Sequence, residues 1–151
     1  MFIKQEKTYR TQGFMSIIDI TDDVIEFLKN NKVINWLVNI FTRHTTAVIK
    51  INESENWLRE DLKNRVKWHI PADLPYHHND LEHRDPKTMC DSKYECLNWH
   101  SHIASMLLWV SSETIPVEDG KMLFGRRQRI LLIETDHSRD RTLVFSFMGD
   151  L

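Results

Sequence analysis

Seven short runs of β-favouring residues, most of them flanked by turn-forming residues, constrain the fold of this 151-residue chain more than any other feature. Phe2 to Arg10 and Phe14 to Ile20 read as two strands joined near Gly13. Val33 to Thr42 and Ala47 to Ile51 read as two more, the second favoured by Val48, Ile49 and Ile51. Thr114 to Val117, Arg129 to Thr135 and Thr142 to Phe147 complete the set, with Glu118-Asp119-Gly120 and Asp136-His137-Ser138 as turns. Helical patterns are fewer. Thr21-Asp22-Asp23 supplies a capping side chain and acids at a helix start, Val24, Ile25, Phe27 and Leu28 give it an apolar face, and it fades at Asn30-Asn31. Asn52 with Glu55 three residues later forms a capping-box pattern. The helix it opens carries Leu58, Leu62 and Val66 on one stripe and stops at Pro71. His102 to Trp109 suits a short buried helix. Strands dominate, so the expected class is α+β, one compact domain over residues 1–151 with largely antiparallel sheets and two or three helices.

Four glycines and four prolines leave little material for flexible linkers. Twenty basic against 22 acidic residues give a formal charge of −2, which offers no strong field to nucleic acid or to an anionic membrane. No apolar run approaches a membrane span, and Met1 to Arg10 has no apolar signal-peptide core. The expectation is a cytoplasmic protein without nucleic-acid or membrane partners. Cys90 and Cys96 do not have the spacing of a zinc knuckle and are expected as free thiols. Ala72 to Glu95 is long, polar and broken by Pro75 and Pro86, the pattern of a functional or mobile loop.

The chain has eight histidines, and histidine is the usual side chain for proton transfer and metal ligation near neutral pH. Arg43-His44-Thr45-Thr46 lies between two predicted strands and reads either as a backbone-capping turn or as an oxyanion site of hydroxyls and imidazole. Tyr76-His77-His78-Asn79 heads the polar loop, where adjacent histidines in an extended segment face opposite ways. Asn98-Trp99-His100-Ser101-His102 brings two histidines together if extended and separates them at a helix start. Near the C-terminus, Glu134 closes the apolar run Ile130 to Ile133 as either a rim residue or a buried acid with a partner. Arg139 and Arg141 have the geometry to clamp phosphate, or else belong to a solvated turn. Sites of this kind are assembled from distant segments, so three histidine-bearing segments together say more than any one alone.

These segments, taken in order, resemble the YjbQ family, also called UPF0047. His44-Thr45-Thr46-Ala47 followed by Ile51-Asn52-Glu53 is similar to its HTT…INE signature, and Tyr76 to Asn79 to its Y-x-H-N piece. Asn98 to Leu108 resembles its N-x-x-x-H-L segment, and Ser112 to Gly120 its S-x-x-I-P-V-x-D-G stretch. Gly125 to Ile130 falls where the family has GTWQ-x-I, and Glu134, Asp136, Arg139 and Arg141 fall on E-x-D…R-x-R. The chain departs from the pattern at Arg126-Arg127, in place of Thr-Trp, and at His137-Ser138, in place of Gly-Pro.

The resemblance implies an α+β domain assembling as a homotrimer. It also implies a secondary thiamine-phosphate synthase activity: hydroxymethylpyrimidine diphosphate joined to thiazole phosphate, releasing pyrophosphate, with a divalent cation such as Mg²⁺ or Zn²⁺. On that reading His44, His78 and His102 hold the metal or bind phosphate oxygens directly, and His44, His102 and Glu134 carry the chemistry. Thr45, Thr46, Asn79, Gln128, Arg139 and Arg141 bind substrate and phosphate. The rival expectations are a non-enzymatic trimer that binds a metal or phosphorylated metabolite, and a phosphohydrolase using metal-activated water.

Overall fold

In this computed structural model residues 1–89, 97–108 and 110–150 are described. In chain order the elements are β1 (Phe2–Arg10), β2 (Ile17–Asp19), α1 (Thr21–Asn30), β3 (Asn35–Thr42), β4 (Ala47–Asn52), α2 (Asn56–His69), α3 (Trp99–Leu108), β5 (Ser112–Glu118), β6 (Lys121–Met122), β7 (Arg129–Glu134) and β8 (Asp140–Asp150). The strands form two antiparallel sheets, one ordered β1-β8-β3-β5-β6 and one ordered β2-β7-β4. The molecule is the expected α+β domain, built as a two-sheet sandwich with helices beside it.

The layering follows from alternation along the strands. Val38 and Ile40 of β3, Ile115 and Val117 of β5, and Leu143, Phe145 and Phe147 of β8 point inward. They meet Ala47 and Ile49 of β4 and Ile130 and Leu132 of β7 in the main core, which α1 closes with Val24, Phe27 and Leu28. β7 is the middle strand of its sheet and is covered on both faces, which explains its unbroken apolar run. Its other face, Leu131 and Ile133, joins a second core with Val48, Val66 of α2 and Ala104 of α3.

Local details differ from the expectations. The strand foreseen over Phe14 to Ile20 shrinks to Ile17–Asp19, because Met15 takes a left-handed φ of 60°. Thr21 does not cap α1, whose N-cap is Ile20 without a side-chain cap bond; the Asp19 carboxylate accepts from the Thr21 amide at 3.0 Å, and the Thr21 hydroxyl accepts from the Ile130 amide at 2.8 Å. Glu55, not Asn52, caps α2, accepting from the amides of Trp57 at 2.9 Å and Leu58 at 2.8 Å. Of the stripe Leu58, Leu62 and Val66, only Val66 is buried. α3 starts at Trp99 rather than His102. The Asp119-Gly120 turn is present, with φ of 48° and 73°, the two left-handed residues of a tight hairpin turn, and it leads to the unforeseen strand β6.

The polar stretch after α2 contains two single-turn helices, His77–Asn79 and Pro86–Thr88. Cys90 and Cys96 lie outside the described residues. Among the described residues no helix is long and apolar enough to cross a membrane.

Candidate functional site

The candidate site forms where the β3–β4 loop meets α3, and a buried polar network fixes both. Glu134 follows Leu132 inward at the end of β7, and Arg141 precedes Leu143 inward at the start of β8. They meet as a fully buried pair, with Arg141 Nε donating to Glu134 Oε2 at 2.6 Å and Nη2 to Oε1 at 2.5 Å. The Thr11 hydroxyl and the Asp136 amide donate to the remaining carboxylate positions, each at 2.9 Å. Arg141 Nη2 also reaches the Thr46 hydroxyl at 2.9 Å, which ties the β3–β4 loop to β8. With both ions satisfied by each other and by neutral groups, the pair has the hydrogen bonding a buried charge requires.

Thr135 joins that loop to α3. Its hydroxyl lies 2.6 Å from the Thr46 carbonyl, 3.1 Å from the Ser101 carbonyl and 2.9 Å from the Ser105 hydroxyl. A hydroxyl has one proton, so it donates to the nearer carbonyl and accepts from Ser105. Asn98, just before α3, donates to Asp136 Oδ2 at 2.7 Å. Burial works to raise the Asp136 carboxyl, but hydrogen bonds from Asn98 and His137 and the nearby Arg139 cation hold it below the usual range.

Held this way, His44 and His102 line a common cavity of about 430 Å³ with Thr45, Ser105, Met106 and Ser111. His44 Nε2 accepts from the Thr142 amide at 3.0 Å. A neutral ring that accepts at Nε2 carries its proton on Nδ1. Burial, and after it the Arg141 cation, holds His44 below the ordinary histidine value, while Glu134 pulls the other way. His44 is therefore a neutral donor with one fixed tautomer. On the α3 side, His78 stacks on Trp99 with ring centroids 4.7 Å apart and lies 5.4 Å from His102.

The expected residues thus divide. His44, Thr45 and His102 share the cavity, and His78 packs against His102. Thr46, Glu134 and Arg141 are buried and bonded to one another, and through Thr46 they hold the loop to β8. Arg139 is held to Asp136 at 2.9 Å, beside the cavity rather than on its wall. The Asn79 side-chain Oδ1 accepts from the Trp99 amide at 3.4 Å and serves the start of α3. Gln128 is exposed and bonds the Gly125 amide at 2.7 Å within its own turn. It precedes β7, six residues before Glu134, about 20 Å along the strand, so it does not join this cavity. The three-histidine metal site is not formed by the side chains in this arrangement. Among the described residues no three His, Cys, Asp or Glu side chains group as a metal site, and His44 Nε2 is taken by the Thr142 amide. The sequence reading missed Trp99 and Thr135; the hydroxyl that follows Glu134 was the only signal for the latter.

Residues 5–150 match the protein family described as UPF0047 protein YjbQ-like. A UPF0047 protein of Methanothermobacter thermautotrophicus is 33% identical over 145 residues, covering 96% of this chain and 91% of that protein. YugU of Bacillus subtilis, also a UPF0047 protein, is 29% identical over 133 residues, 88% of this chain and 89% of its own. Among solved structures, a YbjQ-like protein of unknown function from Sulfolobus solfataricus superposes with a TM-score of 0.82 at 25% identity over 99% of both chains. A YjbQ/UPF0047-family protein from Clostridium acetobutylicum gives 0.78 at 28% identity, over 96% of this chain and 99% of its own.

Proposed function

Since the chain belongs to the YjbQ-like UPF0047 family, we propose that the cavity between His44 and His102 binds a small phosphorylated metabolite and supports thiamine-phosphate synthase-type transfer. The observation that carries this reading is the shared cavity itself: two imidazoles from remote segments, one of them a neutral Nδ1 donor, with the Thr45 hydroxyl beside them.

The reaction forms a carbon–nitrogen bond from the thiazole nitrogen to the pyrimidine methylene carbon. The carbon–oxygen bond to the diphosphate breaks, its electron pair leaves with pyrophosphate, and the ring nitrogen becomes cationic. Negative charge grows on the leaving oxygens, so donors aimed there stabilise the transition state more than the ground state. His44 is suited to donate a hydrogen bond from Nδ1 to a diphosphate oxygen while keeping its proton. His102, carried by α3, supplies the second imidazole, and Thr45 a hydroxyl donor. Glu134 and Arg141 hold the His44 loop in place. No step is assigned to a metal, because the three imidazoles as arranged do not form its ligand set.

Incubation of the purified protein with hydroxymethylpyrimidine diphosphate and thiazole phosphate is expected to yield thiamine phosphate and pyrophosphate in equal amounts. The engagement of every charged group in the Glu134 network with another protein group favours one rival, binding without turnover. Saturable binding of the diphosphate with no product decides for that rival. Phosphate release from either compound alone points instead to hydrolysis.

Assembly as a homotrimer belongs to the same proposal. It is supported by a row of apolar side chains running across four strands on the outer face of the larger sheet. Phe2 pairs with Met148, Met148 with Leu37, and Leu37 with Pro116. Phe2, Leu37 and Met148 are all exposed, at 62%, 45% and 66%. An uncovered apolar row of this kind marks an interaction surface. Leu37→Arg is expected to shift the protein from trimer to monomer in sedimentation equilibrium. A parent protein that sediments as a monomer refutes the trimer.

A further inference from the structure

We infer that the space between α2 and the outer face of the smaller sheet is a binding site for a small carboxylate with an apolar body, separate from the histidine cavity. Ile17, Leu131 and Ile133 form its floor, and Leu58 and Leu62 its roof. The space exists because α2 packs loosely: of its 14 residues only Val66 is buried. Its volume is about 120 Å³. An engineered protein cavity of roughly this size holds benzene, so the space admits an apolar group of about six carbons.

An apolar void needs no cations, yet Lys50 and Arg59 both stand on this wall. Arg59 is held at one end, where Nη2 bonds the Ser54 hydroxyl. Its Nε is buried with no hydrogen-bond partner. A buried donor of this kind is stabilised by any acceptor that reaches it, and a carboxylate oxygen is the strongest available match for a guanidinium N–H. Lys50 is paired with Glu113 only at 3.8 Å, long for a hydrogen-bonded pair. Glu53 lines the same space, but Arg127 neutralises it from outside at 2.9 Å. The site therefore offers two cations, one with an unused buried donor, on the wall of an apolar slot. The amides at the α2 N-terminus do not compete for the ligand, because Glu55 already caps them.

The test is a titration of full-length, methyl-labelled protein followed by NMR, with hexanoate, hexanol, acetate and inorganic phosphate as separate probes. Hexanoate is expected to shift the Ile17, Leu62, Leu131 and Ile133 methyl signals saturably. Hexanol is expected to bind at least roughly tenfold more weakly, since it lacks a charge-assisted bond. Acetate and phosphate, lacking the apolar body, are expected to leave those methyls unmoved. Arg59→Met is expected to weaken hexanoate about tenfold while leaving hexanol unchanged. If that variant does not fold, the parent's hexanoate-to-hexanol ratio decides alone. Equal affinity for hexanol, shifts caused equally by phosphate, or no saturable shift with hexanoate overturns the inference.

Discussion

Replacing Arg141 with methionine is expected to destabilise the protein by about 3–5 kcal/mol, because it strands the Glu134 carboxylate without its cation. Glu134 is 0% exposed and Arg141 2%. Domains of this size are stable by only about 5–15 kcal/mol in all, so the loss takes a large share of the total. The cause of the loss is separable from packing. Methionine fills most of the arginine's volume, so most of the loss comes from the unpaired buried charge. Adding Glu134→Gln to Arg141→Met removes that charge while keeping an acceptor for the Thr11 hydroxyl. The double variant is therefore expected to recover a substantial part of the stability. Urea unfolding of the two variants and the parent measures this. A single variant within about 1 kcal/mol of the parent would show that the pair does not organise the loop and the strand ends around it.

Removing either imidazole from the shared cavity is the second large effect expected, on function instead of stability. Loss of one donor to a developing oxyanion lowers turnover by roughly 100- to 1000-fold, and His44→Ala and His102→Ala are both expected in that range. His44→Ala also leaves the Thr142 amide without its acceptor, which carries a stability cost of about 1–3 kcal/mol. His44→Gln controls for that, since the glutamine side chain also carries an acceptor for the amide. A His44→Gln protein that folds like the parent but has lost turnover assigns the effect to the imidazole. Thr46→Val should behave differently. Thr46 is a buried residue of the loop and a partner of Arg141, so its replacement is expected to lower stability more than affinity.

The fold was legible where alternation was strong. Leu143, Phe145 and Phe147 turn inward at every second residue, and the run Ile130 to Ile133 announces a strand covered on both faces. The same alternation carried a signal that the motifs obscured. Glu134 lies two residues beyond Leu132, and Arg141 two before Leu143, so both belong to inward positions. Followed strictly, the period-two pattern buries them as a pair. Helix starts were less legible. α1 has Ile20 at its N-cap with no side-chain cap bond, and α2 is capped by Glu55, an acid outside the usual Ser, Thr, Asp and Asn preference. The site was legible in its histidines and illegible in its distances. Gln128 and Glu134 belong to adjoining motifs, yet a strand holds them at opposite ends. Convergence of His44 with His102 needed the Thr135 clamp, and no local pattern reports which carbonyls a threonine will join.

The proposed chemistry requires His44 and His102 to meet the same guest. Imidazole nitrogen NMR during a titration with inorganic pyrophosphate reads this directly. The His44 and His102 resonances are expected to move together, saturate on one binding curve, and leave exposed His83 unchanged. Separate curves for the two rings, or shifts in neither, contradict a shared site.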